Sequence, residues 1–149
     1  MVQMKIKNWE KLIGEKVNIL GVDFFINDAV DKQDMYKASF FDVYSLEKIF
    51  DILLYKKGDW FDLKCEFHIK TLPTINNQLI RAVLRKNDVK TIYTFVSTLN
   101  SLLTKNNIIF AYFSLLSESQ KINKNKNKLK PVNNVGLYGI PTGSLISKF

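Results

Sequence analysis

Phe61-Asp62-Leu63-Lys64-Cys65-Glu66-Phe67-His68-Ile69-Lys70 alternates an apolar residue with a polar or charged one at every step. That period of two belongs to a strand with one face on a core and one in solvent, because successive side chains of an extended chain point to opposite faces. A helix would scatter the same residues around its circumference. Leu72-Pro73-Thr74-Ile75-Asn76-Asn77 then supplies turn chemistry, since Pro73 has no N–H to give a ladder and Asn76 and Asn77 tolerate left-handed backbone. Alternation resumes from Gln78 to Lys86, with Ile80, Ala82 and Leu84 on one face and Arg81, Val83 and Arg85 on the other. The stretch from Asp59 to Lys86 therefore reads as a β-hairpin whose outward face carries Lys64, His68, Lys70, Arg81 and Arg85.

Upstream, residues 1–15 mix charge with Ile6, Trp9, Leu12 and Ile13 at weak helical spacing up to Gly14, with Trp9 as an anchor to the body. Val17 to Ile26 is strand-like, but its alternation changes phase between Ile19 and Leu20, just before Gly21. The phase change predicts a bulge that bends a long first strand, as a small closed barrel requires; a plain strand buried on both faces is the alternative. Asn27 to Asp34 reads as a turn, and Met35 to Tyr44 as the returning strand, with Tyr36, Ala38 and Phe40 on one face. Residues 16–44 thus form a second hairpin. In residues 45–57, Leu46, Ile49, Phe50, Leu53 and Leu54 fit a helical stripe, with Ser45 as N-cap and Gly58 beyond the end. The competing reading is a turn at Tyr44 to Lys48 followed by a short strand.

Downstream, Asn87 or Asp88 can cap a helix with the stripe Val89, Ile92, Tyr93, Val96, Leu99 and Leu103, stopped by Lys105-Asn106-Asn107. Ile108 to Leu116 is a nearly continuous apolar run that fits either a second helix or a buried strand. From Glu118 the composition turns to Lys121-Ile122-Asn123-Lys124-Asn125-Lys126-Asn127-Lys128-Leu129-Lys130, a basic low-complexity tract with too little apolar surface to fold alone. Val135 to Phe149 regains apolar residues without periodicity. The fold class is mainly β, an OB-like curved antiparallel barrel with C-terminal helices. Residues 1–119 make one domain, and residues 120–149 a basic, flexible tail.

The 149 residues carry 22 Lys and Arg against 14 Asp and Glu, a net charge of +8, which favours a polyanionic partner such as nucleic acid or an anionic membrane surface. Eleven Phe and six Tyr exceed ordinary usage; most Phe fill the core, and rings at strand ends can stack on bases. Cys65 is alone and faces inward, so a disulfide framework within the chain is excluded, and the single His68 excludes a multi-histidine metal site. There is no glycine-rich phosphate loop, His-Glu-x-x-His pair or nucleophile elbow. No enzyme activity, cofactor or metal is expected. Neither a signal-type apolar run nor a stretch of membrane-spanning length occurs, which leads to the expectation of a cytoplasmic protein.

A basic sheet face, aromatic rings near it and a lysine-rich tract are the composition of a single-strand binder, in which cations track the backbone while rings stack bases. Nucleic-acid contacts are expected from Lys64, Lys70, Arg81 and Arg85, from Trp60, Tyr36 and Tyr44, and from Lys124, Lys126 and Lys128 in the tail. Phe41 and Tyr55 are further stacking candidates. The plan of a bent glycine-containing first strand, a returning strand, an intervening segment and a closing hairpin over residues 14–86 resembles an OB-fold. In plan it is similar to the small single-stranded-DNA-binding proteins of conjugative plasmids and phages. The resemblance implies sequence-independent binding of single-stranded DNA in the setting of a mobile element. Housekeeping bacterial members recruit partners through an acidic C-terminus; here a basic tract and Ile146-Ser147-Lys148-Phe149 stand in its place.

Two other classes fit the same composition. An accessory or inhibitor protein without nucleic-acid activity would use edge strands and the apolar C-terminus on another protein. A peripheral membrane protein would set Lys121 to Lys130 against anionic lipid, without stable insertion. Self-association through either terminal segment is compatible with each.

Overall fold

The computed structural model describes the backbone of residues 6–129 and the side chains of residues 8–125. Six strands form one antiparallel sheet in sequence order: β1 (Lys16–Ile19), β2 (Val22–Asp31), β3 (Met35–Asp42), β4 (Lys48–Lys57), β5 (Trp60–Phe67) and β6 (Ile80–Arg85). The sheet curls into an OB-like half-barrel. A single helical turn, α1 (Pro73–Asn76), lies between β5 and β6, and α2 (Ile92–Thr104) and α3 (Asn107–Leu129) follow the sheet, with 3-10 turns at Ile6–Leu12 and Lys86–Val89. The chain divides into two units at Ser117 and Glu118. The first holds the sheet, α1, α2 and the start of α3. In the second, residues 118–129 continue the helix, with Lys121 paired to Glu118 at 3.4 Å one turn earlier.

The inner face of the sheet is aromatic. Phe40 and Phe50 are opposite each other in register and stack at 4.7 Å with planes 5° apart. Phe24, Phe67 and Phe113 meet Phe50 at 5.4, 5.6 and 6.0 Å, so β2, β5 and α3 converge on one ring. Ile52, Leu54, Leu63 and Cys65 extend this layer, and all are buried. Burial drives the Cys65 thiol far above its ordinary value, keeping it neutral. At the far end Trp9 is buried, and its Nε1–H donates to the Lys37 carbonyl at 2.9 Å, anchoring the N-terminal turn as its spacing suggests.

The hairpin read from Asp59 to Lys86 is β5 and β6, with Lys64 opposite Arg81 and Leu63 opposite Ala82. Asn76 ties the turn between them, its side chain bonding both the N–H and the carbonyl of Ile69. Several other expectations are corrected. Residues 48–57 are a strand, with Ile49 to Leu54 all buried. A run buried on both faces shows no period of two, so its helical stripe is a coincidence of spacing. Gly21 does not mark a bulge: Leu20 (φ 52°) and Gly21 (φ 84°) form a two-residue turn between β1 and β2, the backbone signature of a tight hairpin. A Cβ at Gly21 would also lie 2.9 Å from Ser117 Oγ. The register shift falls instead at Asn27, and β2 runs on to Asp31, leaving three strands where one hairpin is expected.

Thr91 caps α2 in place of Asn87 or Asp88, sharing a capping box with Thr94. Phe95 takes the buried position assigned to Tyr93, which is 80% exposed. Residues 108–116 are helical. So are residues 121–129, because a helix already nucleated extends at little further cost even through a polar tract. Residues 130–149 lie outside the described residues.

Phe50 sits where four elements meet, so Phe50→Ala should cost about 3–5 kcal/mol in denaturant-measured stability. A loss below about 1 kcal/mol would show that the aromatic layer is not the main support. Cys65 should resist a bulky maleimide in the native state and react after denaturation; rapid native labelling would contradict its place in the core.

Candidate nucleic-acid interface

The strand register sorts the outer face of the sheet into rows, each crossing neighbouring strands. Asp28, Ser39, Asp51 and Glu66 form one; Lys37, Leu53, Lys64 and Arg81 form the next. Met35, Tyr55, Asp62 and Val83 form a third, and Lys57, Trp60 and Arg85 a fourth. Alternate residues share a face, so adjacent rows are about 7 Å apart along the strands.

The first row is held together by ion pairs. Asp51 is only 1% exposed although it lies on this side of the sheet. Ser39 Oγ donates to its Oδ1 at 2.6 Å, while Lys48 Nζ and His68 Nε2 lie 3.3 and 2.8 Å from Oδ2, with Lys37 Nζ at 4.0 Å. Burial alone would raise the carboxyl, but the Ser39 hydrogen bond and the charges of Lys48 and His68 outweigh it and hold the group below its ordinary range. The geometry does not activate Ser39, because the carboxylate, and not the imidazole, touches the hydroxyl. Asp51, Glu66 and His68 present ligand atoms within 4.8 Å of one another. A cation there would compete with the ammonium groups of Lys48 and Lys37 at Asp51 and of Lys64, 3.3 Å from Glu66.

The second and fourth rows carry the cationic surface. Lys64 and Arg81 are direct cross-strand neighbours, and Trp60, 40% exposed, lies opposite both Lys57 and Arg85. Four of the expected residues, Lys64, Arg81, Arg85 and Trp60, are therefore brought onto one surface spanning about 13 Å along β5 and β6. Tyr55 is on the same face, diagonal to Trp60. Lys70 is exposed beyond the end of β5.

Tyr36 is not on this surface. Its ring is inside, 5.2 Å from Trp9 and 6.2 Å from Phe61, with Lys56 Nζ 4.1 Å over its centroid. Burial raises its phenol pKa against the lowering pull of Lys56, which also bonds Asp31 at 2.9 Å. Tyr44 lies in the turn between β3 and β4, at the opposite end of the sheet from Trp60, its N–H donating to Asp42 Oδ1 at 2.7 Å. Phe41 packs on Phe25 at 5.5 Å. Lys124 is exposed in the second unit; the side chains of Lys126 and Lys128 lie outside the described residues.

Lys37, Lys57 and the Asp51 network escape sequence reasoning. Lys37 is recoverable, since it alternates with Tyr36 and Ala38. Lys57 and Asp51 are hidden by the helical reading of their strand.

No family model, curated protein or solved structure matches the chain. Among the described residues, no helix is long and apolar enough to cross a membrane.

The Asp51 carboxyl, depressed in the fold, stabilises the protein above its unfolded value, and that contribution is lost as pH falls through the folded value. Asp51→Asn should therefore lower stability at neutral pH by about 1–3 kcal/mol and flatten the acid limb of the stability curve. An unchanged acid limb would show that other carboxyls govern it.

Proposed function

We propose that this protein binds single-stranded nucleic acid with little sequence preference, through the outer face of β4, β5 and β6. The observation that carries the reading is Trp60 between Lys57 and Arg85 in register, with Lys64 and Arg81 paired on the same face closer to the middle of the strands. A base can stack on an exposed indole while guanidinium and ammonium groups on either side meet the flanking phosphates. A single strand has accessible base faces, whereas a duplex offers only its backbone and groove edges, so the ring selects for strandedness and the charges do not. The net charge of +8 adds long-range attraction.

A second reading has one observation in its favour. Val83, 65% exposed, sits on edge strand β6, where an extended segment of a partner protein could add to the sheet. In that case the protein is an accessory or inhibitor protein without nucleic-acid activity.

Fluorescence anisotropy with single- and double-stranded oligonucleotides separates the two. Arg81→Ala with Arg85→Ala should weaken single-strand binding and reduce the slope of log affinity against log salt by about 0.7 for each phosphate that is no longer neutralised. Trp60→Ala should cost about 1–3 kcal/mol per stacked base with the salt slope retained. Failure of the wild type to bind any oligonucleotide would remove the proposal in favour of the protein-partner reading.

A further inference from the structure

Asp62 stands apart from the charges around it. It occupies the middle of the third outer row, between Tyr55 on β4 and Val83 on β6, with Trp60 and Lys64 as its same-face neighbours along β5. On a face bearing Lys57, Lys64, Arg81 and Arg85, it nonetheless makes no hydrogen bond or ion pair among the described residues; Lys64 turns to Glu66 instead. Tyr55 is its direct cross-strand partner and is diagonal to Trp60, so the carboxylate lies beside two rings of one face. A carboxylate there also repels phosphate, which forces the backbone of a bound strand towards the cationic rows on either side.

We infer that Asp62 is a base-edge acceptor that makes this surface favour bases carrying an exocyclic amino group over thymine or uracil. The inference rests on the binding surface proposed above and narrows it, replacing its near-indifference to sequence with discrimination at the edge of the stacked base. A base laid on Trp60 or Tyr55 points its edge across the row, and an ionised carboxylate can only accept hydrogen bonds. Cytosine offers its N4 amino group at the corner where thymine has the O4 carbonyl oxygen. The remaining donor of thymine, N3–H, lies between two carbonyl oxygens, which a carboxylate meets with repulsion. Cytosine and thymine are rings of one size, so the difference between them isolates the edge contact from stacking.

The test is a competition between oligo(dC) and oligo(dT) of equal length at neutral pH, with the full chain and with Asp62→Asn. The wild type should bind oligo(dC) more tightly by roughly five- to a hundred-fold. Asparagine both donates and accepts, so the variant should bring the two affinities to within about two-fold, chiefly by gaining affinity for oligo(dT). A substitution acting only on folding would weaken both ligands together and leave their ratio unchanged, and that outcome would overturn the inference. Equal wild-type affinities, with binding still sensitive to Trp60→Ala, would overturn it while leaving the binding surface in place. No binding of either oligonucleotide would remove both.

Discussion

The stacking of Phe50 on Phe40, at 4.7 Å and nearly parallel, fixes more than the core. Because side chains alternate along a strand, placing Phe50 inside commits Asp51 and Leu53 to the outside, and a slip by one residue would exchange the two sets. Phe24, Phe67 and Phe113 close on the same ring, so β2, β4, β5 and α3 have one register in common. The outward direction of Trp60 and Lys64 on β5 follows from that register, and the β5–β6 ladder sets Arg85 and Arg81 opposite them. The β4 and β5 share of the outer surface is thus set by contacts on the opposite side of the sheet.

The outer face is itself divided. In the first row, Asp51 and Glu66 have their charges met by Lys48, Lys37, His68 and Lys64. Asp51, nearly inaccessible, tolerates burial because its oxygens receive a hydroxyl and charged donors. Lys57, Arg81 and Arg85 have no ion-pair partner among the described residues and keep their charge available to an anion. Neighbouring parts of one face therefore differ in role: the Asp51 row holds strands together, while the rows of Arg81 and Arg85 face solvent with cations to spare.

What the sequence makes legible follows the same logic. β5 and β6 alternate cleanly because each has one wet face, and the inward Cys65 and outward Arg81 can be read directly. β4 cannot be read that way, since its neighbours and Leu53 leave no wet stretch between Ile49 and Leu54 to mark a period. Misreading it as a helix conceals the outward positions of Asp51, Tyr55 and Lys57, which with Leu53 make up the β4 share of the outer face. Tyr36 shows the converse limit. Alternation puts it correctly with Ala38 and Phe40, but only the position of Trp9, distant in sequence, shows that this face is closed over its ring. The phase change at Leu20 and Gly21 is visible in the sequence but has a different cause from the one expected, since a hairpin turn and a bulge both interrupt a period of two.

An open sheet must also deal with its edges. α2 packs against both terminal strands, and Asn100 accepts the Leu20 N–H at 2.8 Å beside β1, so the helix bridges the two strands that a closed barrel would pair to each other. β6 retains an outward row of Arg81, Val83 and Arg85, and like-charged side chains along an edge discourage a second sheet from adding there. The arginines thus serve the solution state of the protein as well as any ligand. Removing them leaves the exposed Val83 on an edge strand without flanking charge, so a loss of oligonucleotide affinity in such a variant reports on the proposed binding surface only when the protein remains in its original oligomeric state. The single Trp60 substitution leaves that edge untouched and reports on the face alone.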